Sequence, residues 1–165
     1  MTSEHLLHTI PPIYDRNSKI LILGSFPSVK SREVSFYYGN PQNRFWRVLA
    51  AVLGCAVPSS NEEKTALLHS HNIALWDIIK SCDIVGSSDS SIKNVVPNDI
   101  GTILSSCGIR QIYSNGKTSE KLFNKYIKDT VGRDTVALPS TSPANASYNL
   151  ERLTDSWSVI KNNIR

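Results

Sequence analysis

Lys19-Ile-Leu-Ile-Leu-Gly24 is the stretch that decides the fold class, because it is a continuous apolar run that ends at a glycine. A short run of this kind is typical of a strand buried on both faces of a parallel sheet. Similar apolar segments predict three further strands, at 73–79, 111–113 and 135–138. Apolar residues at helical spacing, together with capping residues, predict helices at 43–53, 60–70, 98–106, 118–127 and 149–163.

Strands that alternate with helices predict an α/β fold. We therefore expect a three-layer α/β/α sandwich around a central four-stranded parallel sheet. At 165 residues the chain is long enough for one domain, which we expect to span 1–165 with its core at about 19–163. A chain of this length buries about two-thirds of its unfolded surface on folding, so it needs no disulfide or metal to stabilise it.

Composition and charge limit the classes of function. The formal net charge of +4 and a pI near 9.0 permit a polyanionic partner but do not prove one. Cys55, Cys82 and Cys107 are too far apart for a disulfide framework or a zinc ribbon, and three thiolates are too few for an iron–sulfur cluster. The N-terminus lacks the features of a signal peptide, and no segment approaches the roughly 18 apolar residues of a membrane span. We expect an intracellular protein that binds no metal and no cofactor.

Four segments follow the predicted strands and are expected to be loops, at 24–42, 80–96, 115–117 and 139–147. In open parallel sheets, ligands bind beyond the carboxyl ends of the strands. The site is therefore predicted to lie among the four loops. Residues 1–12, which precede the first predicted strand, are expected to be a short lead that ends at two prolines.

The first loop begins with Gly24-Ser-Phe-Pro-Ser28. The backbone of Gly24 and Ser25 offers donors to an anion or a base edge, and Pro27 makes the turn rigid. Phe26 has the shape to stack on a base. The alternative for this segment is a tight strand exit with a phenylalanine in the core.

The same loop continues into Tyr37-Tyr-Gly-Asn-Pro-Gln-Asn-Arg-Phe-Trp46, which is rich in amides and aromatic rings. Amides such as Asn40 and Asn43 are able to bond a base edge or orient a water molecule. Asn43 also lies where a helix N-cap is expected. Arg44 is a candidate for a phosphate contact or an ordinary solvated arginine.

Polar residues also lie at the ends of other predicted strands. Asp77 and Asn115 are each placed to bond a base edge, although both residue types are equally at home in a turn. The last loop, within Leu138-Pro-Ser-Thr-Ser-Pro-Ala-Asn-Ala146, carries small donors that suit a DNA backbone or an ordinary turn before a helix. Its candidate DNA contacts are Ser140, Thr141, Ser142, Pro143, Ala144 and Asn145.

In this order and placement, these segments resemble the motifs of the uracil-DNA glycosylase superfamily, from about residue 19 to the C-terminal helix. Several branches of that superfamily carry an asparagine or aspartate in the first turn and a histidine at the start of the second motif. This chain has Ser25-Phe26 and Leu138 there instead, which is similar to the hypoxanthine-DNA glycosylase family.

The resemblance implies a monofunctional glycosylase that hydrolyses the N-glycosidic bond of a flipped-out deaminated base in base excision repair. Asn43 is the implied catalytic residue, with Asn40 as the second choice. The base-binding residues would be Gly24, Ser25, Phe26, Pro27, Tyr38, Asp77 and Asn115. The partner would be DNA containing deaminated bases, bound by a cytoplasmic monomer that is nucleoid-associated if bacterial or archaeal.

Two alternatives remain open: a uracil or mismatch-type glycosylase of broader specificity, and a non-catalytic domain that binds damaged DNA. A hydrolase with Ser25 or Ser28 as nucleophile needs a histidine partner. That hypothesis is set aside because none of the histidines of the chain lies in a predicted strand-end loop. The histidines are His5, His8, His69 and His71.

Overall fold

The computed structural model describes residues 2–165, and these residues form two β-sheets and a set of helices. The strands are β1 (Glu4–Leu7), β2 (Ile20–Gly24), β3 (Ile73–Asp77), β4 (Ile79–Ile84), β5 (Lys93–Pro97), β6 (Gln111–Asn115) and β7 (Thr135–Leu138). The α-helices are α1 (Val29–Val34), α2 (Phe45–Leu53), α3 (Asn61–Ser70), α4 (Ile100–Ser106), α5 (Lys117–Tyr126), α6 (Lys128–Val131) and α7 (Leu150–Trp157). Short 3-10 segments occur at Asp89–Ser91 and Ser158–Asn162.

The central sheet confirms the predicted fold class. Its four strands are parallel and follow the order β3-β2-β6-β7. The register pairs Gly24 with Asp77 and Asn115 with Leu138, so the carboxyl ends of all four strands meet at one edge. Polar residues at these ends are thereby brought close together.

Helices cover both faces of this sheet because β2 is apolar on both of its faces. Ile20 and Ile22 pack into a core with α2, α3 and α7, whose central residues are Phe45 and Trp157. Leu21 and Leu23 pack on the opposite face with residues of α4 and α5, at Ile103 and Phe123. This arrangement is the expected three-layer sandwich.

A second sheet corrects the sequence prediction for residues 2–12 and 80–96; residue 1, which was part of the predicted lead, lies outside the described residues. β1, β4 and β5 form a three-stranded antiparallel sheet in the order β1-β4-β5. The predicted strand at 73–79 divides at Ile78, where the chain leaves the parallel sheet and enters β4. Strand β1 escaped prediction because its partner is distant in sequence, with Glu4 paired to Ile84. The β4–β5 pairing contains register shifts that obscure a regular alternation.

Several helix boundaries also differ from the prediction. The loop at 24–42 contains α1, which is capped by the Ser28 hydroxyl accepting from the Ser31 N–H at 3.2 Å. Helix α2 begins at Phe45, two residues later than expected. The C-terminal helix gives way to a 3-10 segment after Trp157. The helix predicted at 60–70 is capped by Ser60, whose side chain accepts from the Glu63 N–H at 3.0 Å.

A bilayer-crossing helix, which requires a long apolar stretch, is not found among residues 2–165.

The turn between β3 and β4 is held by Asn98, which is buried. Its Nδ2 donates to the carbonyls of Asp77 (2.9 Å) and Ile79 (3.2 Å). We expect Asn98→Ala to lower the free energy of unfolding by about 2 kcal/mol, because it leaves two buried acceptors without their donor. Urea denaturation measures the change. Asn124→Ala is the matched control at an exposed position of α5 and should change stability little; equal losses in both variants would contradict this assignment.

Candidate active site

A cavity of about 290 Å³ lies at the carboxyl ends of the parallel strands. Its walls come from the turn after β2, the amide-rich segment before α2, the ends of β3 and β6, and the loop after β7. The structure brings most of the predicted site residues together there: Gly24, Ser25, Phe26, Pro27, Tyr38, Asn40, Asn43, Asp77, Asn115, Ser140, Thr141, Ser142, Pro143 and Ala144. Arg44 and Asn145 lie outside this lining.

The cavity floor is formed where Gly24 and Asp77 lie side by side at the strand ends. A β-carbon on Gly24 would lie 2.3 Å from Oδ1 of Asp77 and 3.0 Å from the hydroxyl oxygen of Tyr38. Only a residue without a side chain leaves this space to the carboxylate and the phenol. Glycine at this strand end is therefore required by the close approach of two functional groups.

Asp77 is buried, and one of its oxygens is held by a histidine. The Nε2 atom of His8 lies 2.8 Å from Oδ2 of Asp77, and the two side chains are only 1% and 6% exposed. No hydrogen-bond donor among residues 2–165 reaches Oδ1 of Asp77, the oxygen beside Gly24. The floor of the cavity thus presents one acceptor that has no protein partner in the described chain.

Aromatic rings form two further parts of the cavity wall. Phe26 is 9% exposed, so it serves both as lining and as part of a small core cluster with residues of β4. Tyr38 stacks on Phe45, with ring centroids 4.1 Å apart and an interplanar angle of 18°. Its φ of 52° places a non-glycine residue in the left-handed region, which is a feature of functional sites.

The hydroxyl of Tyr38 is buried and has no hydrogen-bond partner within residues 2–165. Burial, and then the negative charge of Asp77, raise the pKa of Tyr38 above its usual range, and the neighbouring Asn115 side chain, which lies short of good hydrogen-bond geometry, only partly opposes this, so the phenol stays protonated. A buried donor without a partner is costly, and such groups call for a polar ligand. Tyr38 and Asp77 together therefore mark the floor as a polar binding surface.

Asn43 lines the cavity, and its amide nitrogen is the group available to a ligand, because its amide oxygen already accepts two hydrogen bonds. Oδ1 accepts from the Phe45 N–H at 2.9 Å and from the hydroxyl of Thr141 at 2.8 Å. The backbone donor identifies the accepting atom as oxygen and so fixes the orientation of the amide. Nδ2 has no hydrogen-bond partner in the part of the chain that the structure describes. Asn40 differs, since its Oδ1 closes a local turn with the Gln42 N–H at 2.9 Å.

Thr141 connects three strand-end segments. Its hydroxyl accepts from Nδ2 of Asn115 at 3.0 Å while donating to Asn43, and its own N–H donates to Oδ1 of Asn115 at 3.1 Å. Its carbonyl accepts from the Arg44 N–H at 3.0 Å. Thr141, a predicted DNA contact, is fully buried, and its polar groups are all used within the protein.

Arg44, the predicted phosphate contact, is bonded within the protein. Its guanidinium donates to the carbonyls of Ser142 (2.9 Å), Asn145 (3.1 Å) and Tyr148. These bonds hold the loop after β7 against the start of α2. Asn145 is likewise engaged, since its Nδ2 donates to the Ser140 carbonyl at 3.0 Å. Both residues shape the loop that closes the cavity.

A second, more open cavity of about 600 Å³ adjoins the first and shares Asp89, Asn115, Ser140, Ser142 and Ala144 with it. Its other lining residues include Lys117 and Thr118, at the start of α5. The two cavities therefore lie next to each other at the strand ends.

His8 and Asp89 are site residues that sequence analysis missed. Asp89 lies in an exposed turn of the antiparallel hairpin, where it accepts from the Ser25 hydroxyl at 3.4 Å. Desolvation by the surrounding protein raises the pKa of Asp89, and hydrogen bonds from Ser25 and Thr118 oppose that shift. A histidine does reach the site, contrary to expectation, but its partner is Asp77. The Ser25 hydroxyl bonds Asp89 and the Ser28 hydroxyl bonds Ser31, so a serine–histidine pair receives no support.

Across residues 2–165, no group of three histidine, cysteine or acidic side chains is placed to hold a metal ion. The three cysteines are free thiols: Cys55 is exposed, Cys82 buried and Cys107 half-buried.

This chain is similar to known proteins that are described as DNA glycosylases. A family model described as the uracil DNA glycosylase superfamily matches residues 11–162. A curated relative named hypoxanthine DNA glycosylase, from Methanosarcina acetivorans, is 34% identical over 91% of this chain and 94% of its own length. A relative of the same name from Methanosarcina barkeri is 34% identical over 82% of this chain and 85% of its own. A solution NMR structure of a candidate uracil DNA glycosylase from M. acetivorans has a TM-score of 0.79 and 33% identity, covering 92% of this chain and 94% of that one.

The bridge through Thr141 predicts a specific difference between two substitutions. We expect Thr141→Val to lower the free energy of unfolding by about 2 kcal/mol, because it leaves the Asn115 amide without its acceptor. Thr141→Ser keeps the hydroxyl and loses one methyl group, so its cost should be about 1 kcal/mol or less. Chemical denaturation of both variants provides the comparison. A valine variant as stable as the serine variant would mean that the hydroxyl bridge contributes nothing.

Proposed function

From the premise that this chain belongs to the uracil DNA glycosylase superfamily, we propose that it is a monofunctional DNA glycosylase that releases hypoxanthine from DNA. The relatives named hypoxanthine DNA glycosylase support this substrate, because they match this chain over most of its length. The observation that carries the proposal is the unpartnered acceptor of Asp77 on the cavity floor.

Deamination changes the edge of a base in a way that suits this acceptor. Adenine N1 and cytosine N3 present lone pairs, whereas the same ring positions of hypoxanthine and uracil carry an N–H. A carboxylate oxygen is an acceptor, so Oδ1 of Asp77 would attract the deaminated edge and repel the parent base. A buried polar group that is left unpaired by the wrong substrate gives strong discrimination. Asp77 is thus the proposed base-recognition residue.

The shape of the cavity also suits a single extruded base. A volume of about 290 Å³ lies near the lower end of the range for small-ligand sites. Phe26 and Tyr38 provide aromatic and apolar surface for the base, and the Tyr38 hydroxyl offers a donor that has no other partner in the described chain. The target base must leave the duplex, because its glycosidic bond is not accessible within the stack.

The reaction is hydrolysis of the N-glycosidic bond through a transition state with oxocarbenium character. Negative charge develops on the departing base, and preorganised donors stabilise it. Because Oδ1 of Asn43 already accepts two hydrogen bonds, its Nδ2 is the group free to donate. We assign Asn43 this role on the leaving base, in place of the water-orienting role that its residue type alone suggested. Asn40 is the second candidate; its Oδ1 accepts one backbone N–H, and no partner for its Nδ2 is found within residues 2–165.

The adjoining cavity supplies a path for the DNA backbone. The hydroxyls of Ser140 and Ser142 each accept one backbone N–H of their own loop, which leaves their protons free to donate to a phosphate. Pro143 and Ala144 are exposed at the tip of that loop, and Lys117 is exposed beside it. Such contacts position the duplex without selecting sequence. We further propose that the protein acts on chromosomal DNA as a monomer in the cytoplasm.

Uracil is a second candidate substrate. It also carries a ring N–H that Oδ1 of Asp77 would accept, and the similar solved structure is that of a candidate uracil DNA glycosylase. Leu138 stands where several uracil-specific members of the superfamily carry a histidine, and it is buried at the end of β7. This substitution favours hypoxanthine over uracil as the main substrate.

Base release from duplexes with a single hypoxanthine or a single uracil tests the proposal. Strand cleavage should appear only after alkali treatment, since a monofunctional enzyme leaves an intact abasic strand. We expect wild type to release hypoxanthine, and Asn43→Ala to be slower by about 100-fold or more, the loss typical of one transition-state donor. Asn124→Ala serves as the surface control and should retain the wild-type rate.

The pattern of release separates the alternatives. Release of uracil alone would replace hypoxanthine as the substrate, and release of both would indicate a broader enzyme. Binding to the modified duplex without release of any base would favour the non-catalytic alternative. Full activity in Asn43→Ala would remove Asn43 from the mechanism and direct attention to Asn40.

A further inference from the structure

His8 is a buried polar residue to which the motifs assign no role. Its side chain is 1% exposed, and its Nε2 lies 2.8 Å from Oδ2 of Asp77. The family-model match begins at residue 11, so this ring comes from outside the matched region. It is nonetheless in direct contact with the residue that forms the cavity floor.

The antiparallel sheet places the His8 ring beneath the cavity. The His8 N–H donates to the Lys80 carbonyl at 2.7 Å, which continues the pairing of β1 with β4. The ring packs edge-on against Phe26, with centroids 6.0 Å apart at 80°, and lies 6.1 Å from the ring of Tyr37. Backbone pairing and two aromatic contacts therefore fix the direction in which Nε2 points.

We propose that His8 is a positioning residue for base recognition: its Nε2–H anchors Oδ2 of Asp77, so that Oδ1 is presented to the ring N–H of a deaminated base. This inference rests on the proposed function and adds to it the source of Asp77's orientation. His8 does not touch the base, because Asp77 lies between them.

The physical need for such an anchor follows from the burial of Asp77. Among the side chains described, His8 is the one that donates to this carboxylate. A buried carboxylate without a partner is strongly disfavoured, and it either turns away or takes up a proton. A protonated carboxyl group is a donor and no longer favours a ring N–H over a lone pair. Loss of the His8 donor should therefore weaken recognition of the base even though the cavity itself remains.

A double-mutant cycle tests whether His8 acts through Asp77. Single-turnover release of hypoxanthine is measured for wild type, His8→Leu, Asp77→Asn and the double variant. We expect His8→Leu alone to slow release about 10- to 100-fold, the usual loss for a residue that orients a functional group. In the Asp77→Asn background, His8→Leu should change the rate by less than about threefold, because its target is already altered.

The conservative variant His8→Gln separates the donor from the ring. A glutamine amide is able to donate to Oδ2, so we expect its rate to stay within about threefold to tenfold of wild type. Thermal unfolding of each variant verifies that it is folded. If His8→Leu does not fold, His8→Phe preserves the ring packing while removing both nitrogens, and it enters the same cycle.

The outcomes distinguish this inference from the proposed function. Equal losses on adding the His8 substitution to either background would overturn the positioning role, as would a glutamine variant no better than leucine. In both cases an active wild type leaves the proposed function intact. Release of no deaminated base by wild type would overturn the proposed function and the role of His8 with it.

Discussion

The contact between Gly24 and the carboxylate of Asp77 is the constraint on which the rest of the site depends. Parallel register sets these two residues side by side at the ends of neighbouring strands. Because a β-carbon on Gly24 would lie only 2.3 Å from Oδ1, the missing side chain gives the carboxylate its place on the cavity floor. A hydrogen bond also holds the backbone that follows Asp77, since the Ile78 N–H donates to the Gly24 carbonyl at 2.9 Å.

Above that floor, hydrogen bonds between loops arrange the remaining groups. Thr141 bonds both Asn43 and Asn115, and Arg44 holds the carbonyls of the loop that follows β7. All four side chains are thus held by hydrogen bonds within the protein. A site whose polar groups are already held in place loses little energy to reorganisation during the reaction. The loop network therefore serves chemistry as well as stability.

Sequence alone predicted the parallel sheet and the edge at which the site lies, for a simple geometric reason. Short apolar runs mark buried strands, and the ends of parallel strands must meet at one edge. Asp77 and Asn115 could be chosen as candidates because each ends such a run. The glycine at 24 was also visible in the sequence, although its contact with Asp77 required the register of the two strands.

Other features depend on directions and long-range pairings that local spacing does not contain. His8 enters the site through β1, whose pairing partner β4 lies more than 70 residues away in sequence. Asp89 lies in a serine-rich turn that had no strand signal around it. The residue types of Arg44 and Thr141 suit phosphate contacts, but both turn inward to satisfy backbone and amide groups. Where a polar side chain points is decided by the fold around it, so residue type alone could not show that these two are bonded within the protein.

Recognition of the base by Asp77 is tested by a crystal structure with duplex DNA that contains 2′-fluoro-2′-deoxyinosine. The fluorine disfavours positive charge on the sugar, so the base should stay attached while it is bound. We expect an extruded hypoxanthine in the cavity, with N1 within hydrogen-bond distance of Oδ1 of Asp77 and Nδ2 of Asn43 facing the base. A hypoxanthine that stays stacked in the duplex, or one that enters the cavity with N1 turned away from Asp77, would contradict this role of Asp77.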